Sequence, residues 1–313
     1  MRILVAGGAG FIGSHLCEGL LGLGHDVICA DNFSTGFRHN LDHLREKPAL
    51  VLVEQDLTDS GGSLPRAEAV MNLACPASPV QYQRDPLGTL RANLLGTMNL
   101  LECAGRWKAS FFQASTSEVY GDPDVHPQNE LYWGRVNPLG SRACYNEGKR
   151  CAETLCINYH RHRGQPLAMA RIFNTYGPQM APDDGRVVSS FIVRALRNEP
   201  IELFGGGTQT RSFCYIDDMI EGILACALGG GPFPGPVNLG NPQEISIRAL
   251  AEAIIDLTNS RSRLVTQPSP EDDPGRRCPD ISLARHLYGW EPRTDLARGL
   301  LQTISWFDGI LSR

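Results

Sequence analysis

The chain has 313 residues, 42% of them hydrophobic and 20% charged, the balance of an ordinary globular protein large enough for two lobes. Its net charge of −5 excludes the basic footprint that nucleic acid requires, and no stretch is long and apolar enough to span a membrane. The ten cysteines include no C-x-x-C pair and read as buried thiols in a reducing cytosol, so neither disulfides nor a metal site are expected.

Residues 1–6 read as a first strand running straight into glycines, not as a signal peptide, which points to the cytoplasm. Gly7, Gly10 and Gly13 follow at G-x-x-G-x-x-G spacing and lead into a helical run at 14–23. A second strand at 26–31 ends on Asp31, and apolar runs at 50–53 and 69–74 give two more. Residues 85–107 read as one long helix with Leu90, Leu94, Met98 and Leu101 on an apolar stripe. A fifth strand at 111–116 ends on Thr116, with Glu118 just beyond. After a loop rich in proline and glycine comes a helix over about 141–162, then a strand at 167–173. Strands alternating with helices predict an α/β fold, a Rossmann-like doubly wound parallel sheet. Past Asn174 the segments shorten, with helices at 187–197, 218–228, 247–258, 281–288 and 296–311 and strands at 201–204, 211–216 and 236–239.

Glycines between a strand and a helix let the backbone approach a pyrophosphate at the helix N-terminus, where free N–H groups favour negative charge. Asp31, at the end of the second strand, can accept hydrogen bonds from ribose hydroxyls and would repel a 2′-phosphate, which argues for NAD over NADP. Asp56 and Leu57, ending the third strand, are set to face the adenine. The expected division is an NAD-binding domain over residues 1–175 and a smaller substrate lobe over 176–313, with elements at about 213–245 returning to the first. Tyr145 and Lys149 are four apart, so a helix presents both on one face. An ammonium beside a phenol is expected to draw the phenol's pKa towards neutrality and make it a usable base. That spacing alone is common on solvated helices. Here it gains weight from the glycine fingerprint and from the strand ending at Thr116.

Longer strings are more specific: Pro76-Ala77-Ser78-Pro79, the run from Ser115 through Glu118 to Pro123, Cys144-Tyr145-Asn146-Glu147-Gly148-Lys149-Arg150, and Ala170 to Pro178. Asp184-Gly185-Arg186-Val187-Val188, Gln209 to Phe213 and Glu271-Asp272-Asp273-Pro274 extend the pattern. With these strings the chain resembles the extended short-chain dehydrogenase/reductases and, more narrowly, the UDP-glucuronate decarboxylases (UDP-xylose synthases). The resemblance implies that Tyr145 takes the proton from the sugar C4 hydroxyl while hydride passes to NAD, with Lys149 on the nicotinamide ribose. Thr116 would bond the same hydroxyl. Glu118 and Arg277 would serve decarboxylation, with the adjacent Arg276 competing for the second role. Arg91, Asn174, Val188 and Arg211 would hold the nucleotide sugar, Arg211 against the diphosphate. The cofactor set would grow to include Phe11, Ile12, Asn32, Ser34, Thr35, Gly36, Leu73, Cys75, Thr175 and Arg186. Relatives of this kind dimerise through the helices after strands four and five, so a homodimer is expected.

The implied chemistry is coherent. Oxidation at C4 of glucuronate puts a ketone β to the C6 carboxylate, and a β-keto acid loses carbon dioxide because the electron pair left behind becomes an enolate. Asn146, Cys75, Ser190 and Phe204 depart from the family's usual aspartate, serine, asparagine and tyrosine, and the last two bear on nucleotide preference. His39 with His43 and His160 with His162 read as surface residues. Asp217 and Asp218 read as caps of the helix that follows, and the basic turn at Arg161–Arg163 suits a helix C-terminus. Three alternatives stand beside decarboxylation: a UDP-glucuronate 4-epimerase, a nucleotide-sugar 4,6-dehydratase, and a catalytically silent NAD-binding regulator. A dehydratase usually carries an Asp-Glu pair where this chain has Ser117-Glu118.

Overall fold

The computed structural model describes residues 1–59, 64–269 and 274–312, so Glu271, Asp272 and Asp273 lie outside the described residues. β1 (Arg2–Ala6) turns through the glycines into α1 (Phe11–Gly22), and β2 (Asp26–Asp31), β3 (Leu50–Glu54) and β4 (Ala69–Asn72) follow. Two short helices come next, each with proline at its first turn behind a capping side chain. Ser78 caps α2 (Pro79–Arg84) and Asp85 caps α3 (Pro86–Arg91), accepting from the Gly88 N–H at 2.9 Å. The single helix expected over 85–107 instead breaks into α3, a π-turn at Ala92–Gly96 and α4 (Thr97–Trp107). The cause is local. The buried Asn93 amide donates to the Thr89 carbonyl at 2.9 Å, the acceptor a regular ladder gives to the Asn93 N–H.

β5 (Ser110–Thr116), α5 (Ala143–Arg163) and β6 (Leu167–Ile172) complete the first half. Then come β7 (Thr175–Tyr176), α6 (Val187–Leu196), β8 (Ile201–Phe204), β9 (Thr210–Ser212), β10 (Cys214–Tyr215), α7 (Ile216–Leu228) and β11 (Val237–Leu239). The chain ends with β12 (Glu244–Ser246), α8 (Ile247–Thr258), β13 (Leu264–Gln267), β14 (Arg276–Arg277), α9 (Ser282–Tyr288) and α10 (Leu296–Leu311). The main sheet is parallel in the order β11-β6-β5-β4-β1-β2-β3, with apolar cores against both faces. Small sheets β12-β9-β14 and β13-β8 form the later lobe. β11 crosses back to pair with β6, so the lobes share a sheet edge.

Helix boundaries in the second half differ little from the sequence reading, whereas β7, β12, β13 and β14 went unread. Strands of two to four residues carry no periodicity to detect. Asp217 and Asp218 are not caps. They lie in the first turn of α7 behind Tyr215, where they suit the dipole, and the Asp218 carboxylate accepts from the Thr294 N–H at 2.9 Å. All ten cysteines are unpaired, eight of them buried. No helix among the described residues is long and apolar enough to cross a membrane.

Candidate active site

The carboxyl ends of the parallel strands open onto a trough, as expected for this architecture. At the β1–α1 turn, Gly7 has φ +77°, and a Cβ there would lie 2.8 Å from the Ala74 backbone. A Cβ at Gly13 would lie 2.1 Å from the Gly7 carbonyl. These positions require glycine, and Gly10 caps α1 with no side chain of its own, leaving helix N–H groups to an anion. Asp31 is buried and aimed by two backbone donors, Ala9 N–H at 2.9 Å and Phe33 N–H at 2.8 Å. Burial nevertheless holds its pKa above the usual range against those bonds.

A cavity of about 860 Å³ is lined by Asp31, Asn32, Ser34, Thr35, Gly36, Asp56, Leu57, Leu73 and Cys75. Burial of Asp56 is outweighed by hydrogen bonds from Thr58 and Asn32, which draw its pKa down. A second cavity of about 210 Å³ shares Gly7, Gly10, Thr35, Leu73 and Cys75 with the first. It adds Phe11, Ile12, Gly13, Thr116, Glu118, Tyr145, Lys149, Asn174, Thr175, Arg186 and Arg277. One continuous trough therefore joins an adenosine-like end to a reactive end, and its residues fit a dinucleotide.

At the reactive end α5 packs on β5. The buried Lys149 Nζ donates to the Ala114 carbonyl at 2.9 Å and lies 5.9 Å from the centre of the Tyr145 ring. Tyr145 is buried and stacks on Tyr82 with centroids 5.0 Å apart and planes 5° from parallel. The expected fall in its pKa is reversed in this structure. Burial pushes the phenol well above its ordinary value, Cys75 adds to the rise, and a hydrogen bond with Thr116 only partly opposes them. The lysine is committed to a backbone carbonyl, so desolvation dominates.

Beside the phenol sits an ion pair that spans the chain. Arg277 Nη1 donates to Glu118 Oε1 at 2.7 Å, and Arg142 lies 3.7 Å from Oε2. Arg211 is the register partner of Arg277 across β9 and β14. Burial of Glu118 raises its pKa, but Arg277, Arg142 and Arg211 together outweigh that and hold the carboxyl below its usual range. The other edge of Arg277, Nε and Nη2, is buried and has no hydrogen-bond partner among the described residues. Of the two neighbouring arginines, Arg277 lines the cavity that holds Tyr145. Arg276 points outward to Glu244 at 2.9 Å and to His126 at 2.7 Å.

Three expected substrate residues are placed differently. Arg91 lines the larger, cofactor-side cavity and not the one holding Tyr145. The Val188 side chain is buried in the core, so what it offers a ligand is a backbone N–H in the first turn of α6. Arg211 is buried behind the cavity wall, with Nη1 on the Thr210 carbonyl at 2.8 Å. Among the departures, Cys75 accepts from the Asn93 amide at 3.0 Å, and the carbonyl oxygen of the buried Asn146 has no partner among the described residues. Ser190 is half-buried and Phe204 exposed. Tyr82 and Arg142 escaped the sequence reading. Arg142 had a signal, since it stands three residues before Tyr145 at one helical turn's spacing. Tyr82 had none beyond its place in a short helix. Among the described residues no cluster of His, Cys, Asp and Glu could hold a metal.

The chain is similar to known proteins over almost its whole length. Residues 3–240 match the model of the NAD dependent epimerase/dehydratase family. UDP-glucuronic acid decarboxylase 1 of Arabidopsis thaliana is 48% identical over 98% of this chain and 70% of its own length. The Danio rerio protein of that name is 47% identical over 98% and 72%. Among solved structures, UDP-glucose 4-epimerase of Thermotoga maritima with UDP-glucose aligns with a TM-score of 0.91 at 30% identity, covering 99% of this chain and 100% of that one. DesIV, a dTDP-glucose 4,6-dehydratase of Streptomyces venezuelae with NAD bound, gives 0.89 at 27%, covering 99% and 97%. The glycine cradle, the Tyr145–Lys149 pair and the Glu118–Arg277 pair thus stand in a chain that belongs to the NAD dependent epimerase/dehydratase family and, within it, to the UDP-glucuronic acid decarboxylases.

Proposed function

We propose that this protein is an NAD-dependent lyase that converts UDP-glucuronate to UDP-xylose. The observation that carries the reading is the half-occupied guanidinium of Arg277. One donor is held by Glu118 while the buried Nε–Nη2 edge has no hydrogen-bond partner among the described residues. That edge has the shape to take a carboxylate bidentately, and Arg277 lines the same cavity as Tyr145. Tyr145 and Thr116, on the same cavity wall, are placed to bond the C4 hydroxyl, and the positive charge of a bound nicotinamide ring would favour the phenolate that takes its proton. NAD, when bound, supplies the hydride acceptor for C4 oxidation and the donor for the closing reduction. Lys149 and the glycine turn hold the dinucleotide, and Asp31 selects its unphosphorylated ribose. Once C4 is a ketone the C5–C6 bond breaks, carbon dioxide leaves, and the electron pair stays as an enolate. Glu118 holds Arg277, which orients the departing carboxylate, and C5 of the enolate takes up one proton from solvent before the closing reduction.

In this reading residues 1–175 hold the cofactor and 176–313 mainly the nucleotide sugar. The exposed Leu87, Leu90 and Leu94 support a homodimer through the outer faces of α3 and α5, and ten unpaired thiols suit a reducing cytoplasm. Incubation with UDP-glucuronate, followed by mass and proton NMR, is expected to give carbon dioxide and a UDP-pentose. An isomer of unchanged mass would instead mean 4-epimerisation, and no turnover of any uronate would leave a silent binder.

A further inference from the structure

The oxidation groups and the decarboxylation arginine come from distant parts of the chain, and a buried polar relay joins them. One turn beyond Lys149 on α5, Glu153 accepts from Ser115 Oγ at 2.6 Å. Helix and catalytic strand are thereby pinned at two successive turns. Glu153 also takes Arg171 of β6 bidentately, Nε at 2.9 Å and Nη2 at 2.8 Å. Arg171 Nη1 donates to the Tyr120 hydroxyl at 3.0 Å, and that hydroxyl donates to Asn238 Oδ1 at 2.7 Å. Asn238, on β11, sends its amide to the carbonyls of Gln128 at 3.0 Å and Asp280 at 3.1 Å. Gln128 grips the residue next to Arg277. Its side-chain oxygen accepts from the Cys278 N–H at 2.8 Å, and its own N–H donates to the Cys278 carbonyl at 2.9 Å.

Every residue of this relay is at most 9% exposed, and Asn238 and Gln128 are fully buried. A buried ion pair and amides are a costly way to fill a core. Apolar residues would serve stability as well. What the polar groups add is direction, because each bond fixes an angle as well as a distance. β14, which carries Arg277, is only two residues long and has little pairing of its own to set its register.

We propose that Tyr120, Asn238 and Gln128 are positioning residues that set Arg277 relative to Tyr145 and so couple decarboxylation to oxidation. The inference rests on the decarboxylase reading. None of the three lines the cavity that holds Tyr145, so their effect passes through Arg277. Tyr120→Phe removes the hydroxyl in the middle of the relay and keeps the ring packed between Tyr132 and Phe173. A displacement of a fraction of an ångström at Arg277 is expected to slow carbon dioxide release about ten- to a hundredfold. The oxidation phase keeps its rate, so NADH builds up as a transient.

The test is a single-turnover experiment with UDP-glucuronate and NAD-loaded protein, following NADH absorbance and carbon dioxide together, with wild type in parallel. Gln128→Asn, whose shortened amide no longer reaches the Cys278 N–H, is the second variant and the one read if Tyr120→Phe does not fold. Accumulated NADH with delayed carbon dioxide supports the relay. Two rates that fall together, or neither changing, overturn it. If wild type releases no carbon dioxide, the decarboxylase reading and this inference fail together. If wild type decarboxylates and the variants stay coupled, only the relay falls.

Discussion

Tyr145→Phe is expected to cut turnover about 100- to 10,000-fold, the usual worth of a positioned general base, while NAD binding measured by calorimetry is retained. Substantial residual turnover would remove the phenol from its assigned role. Glu118 makes a prediction about stability. Its carboxyl is held below the usual range, so its folded pKa is depressed relative to the unfolded chain. The stability it contributes is therefore present at neutral pH and disappears as pH falls through that depressed value. Glu118→Gln leaves a buried guanidinium without its anion and should cost about 3 kcal/mol at pH 7. The gap between wild-type and variant melting temperatures should close in acid, and a gap independent of pH would contradict the pairing. Residue types and spacing were enough to single out Tyr145, Lys149, Thr116 and Glu118, because one strand end and one helix carry all four. Arg277 came only from the longer family strings. Nothing local marks a two-residue strand 159 positions from its ion-pair partner.

For the elements, the β1–α1 turn separates two kinds of glycine. Gly13→Ala would drive a methyl to 2.1 Å from the Gly7 carbonyl and should destabilise the domain by about 1–3 kcal/mol. At Gly10 the nearest atom to a Cβ is 3.3 Å away, so Gly10→Ala should fold and yet bind NAD more weakly. Calorimetry and thermal melts on the pair would show whether the two effects separate as stated. The main-sheet strands were legible as continuous apolar runs and the long helices by their periodicity, and Ile201–Phe204, Ile247–Thr258 and Leu296–Leu311 agree with the sequence to the residue. The helix at 85–107 misled because its break depends on one buried amide, Asn93, competing for a carbonyl, which no periodicity reports. The phenol pKa misled for a related reason. Spacing reveals a neighbour but not the solvent a group has lost.

In the whole molecule, Leu87, Leu90 and Leu94 remain exposed, and a homodimer would cover them. Leu90→Glu is expected to shift sedimentation from dimer to monomer, and an unchanged dimer would put the interface elsewhere. The lobe arrangement was partly legible because strands and helices alternate to residue 173, whereas the return of β11 to the sheet edge is a tertiary choice. The π-turn at Ala92–Gly96 adds a mechanical consequence. One extra residue in a helical turn rotates everything after it by about 100°, so the two halves of this rod point in different directions. Leu87 and Leu90 look outward before the turn, while Leu100 and Leu101 are buried after it. The turn acts as a phase shifter that lets one continuous rod present an outward leucine face and an inward core without either constraining the other. Deleting Leu95 would bring the two halves back into phase, and one of those two faces would have to turn away from where it now lies.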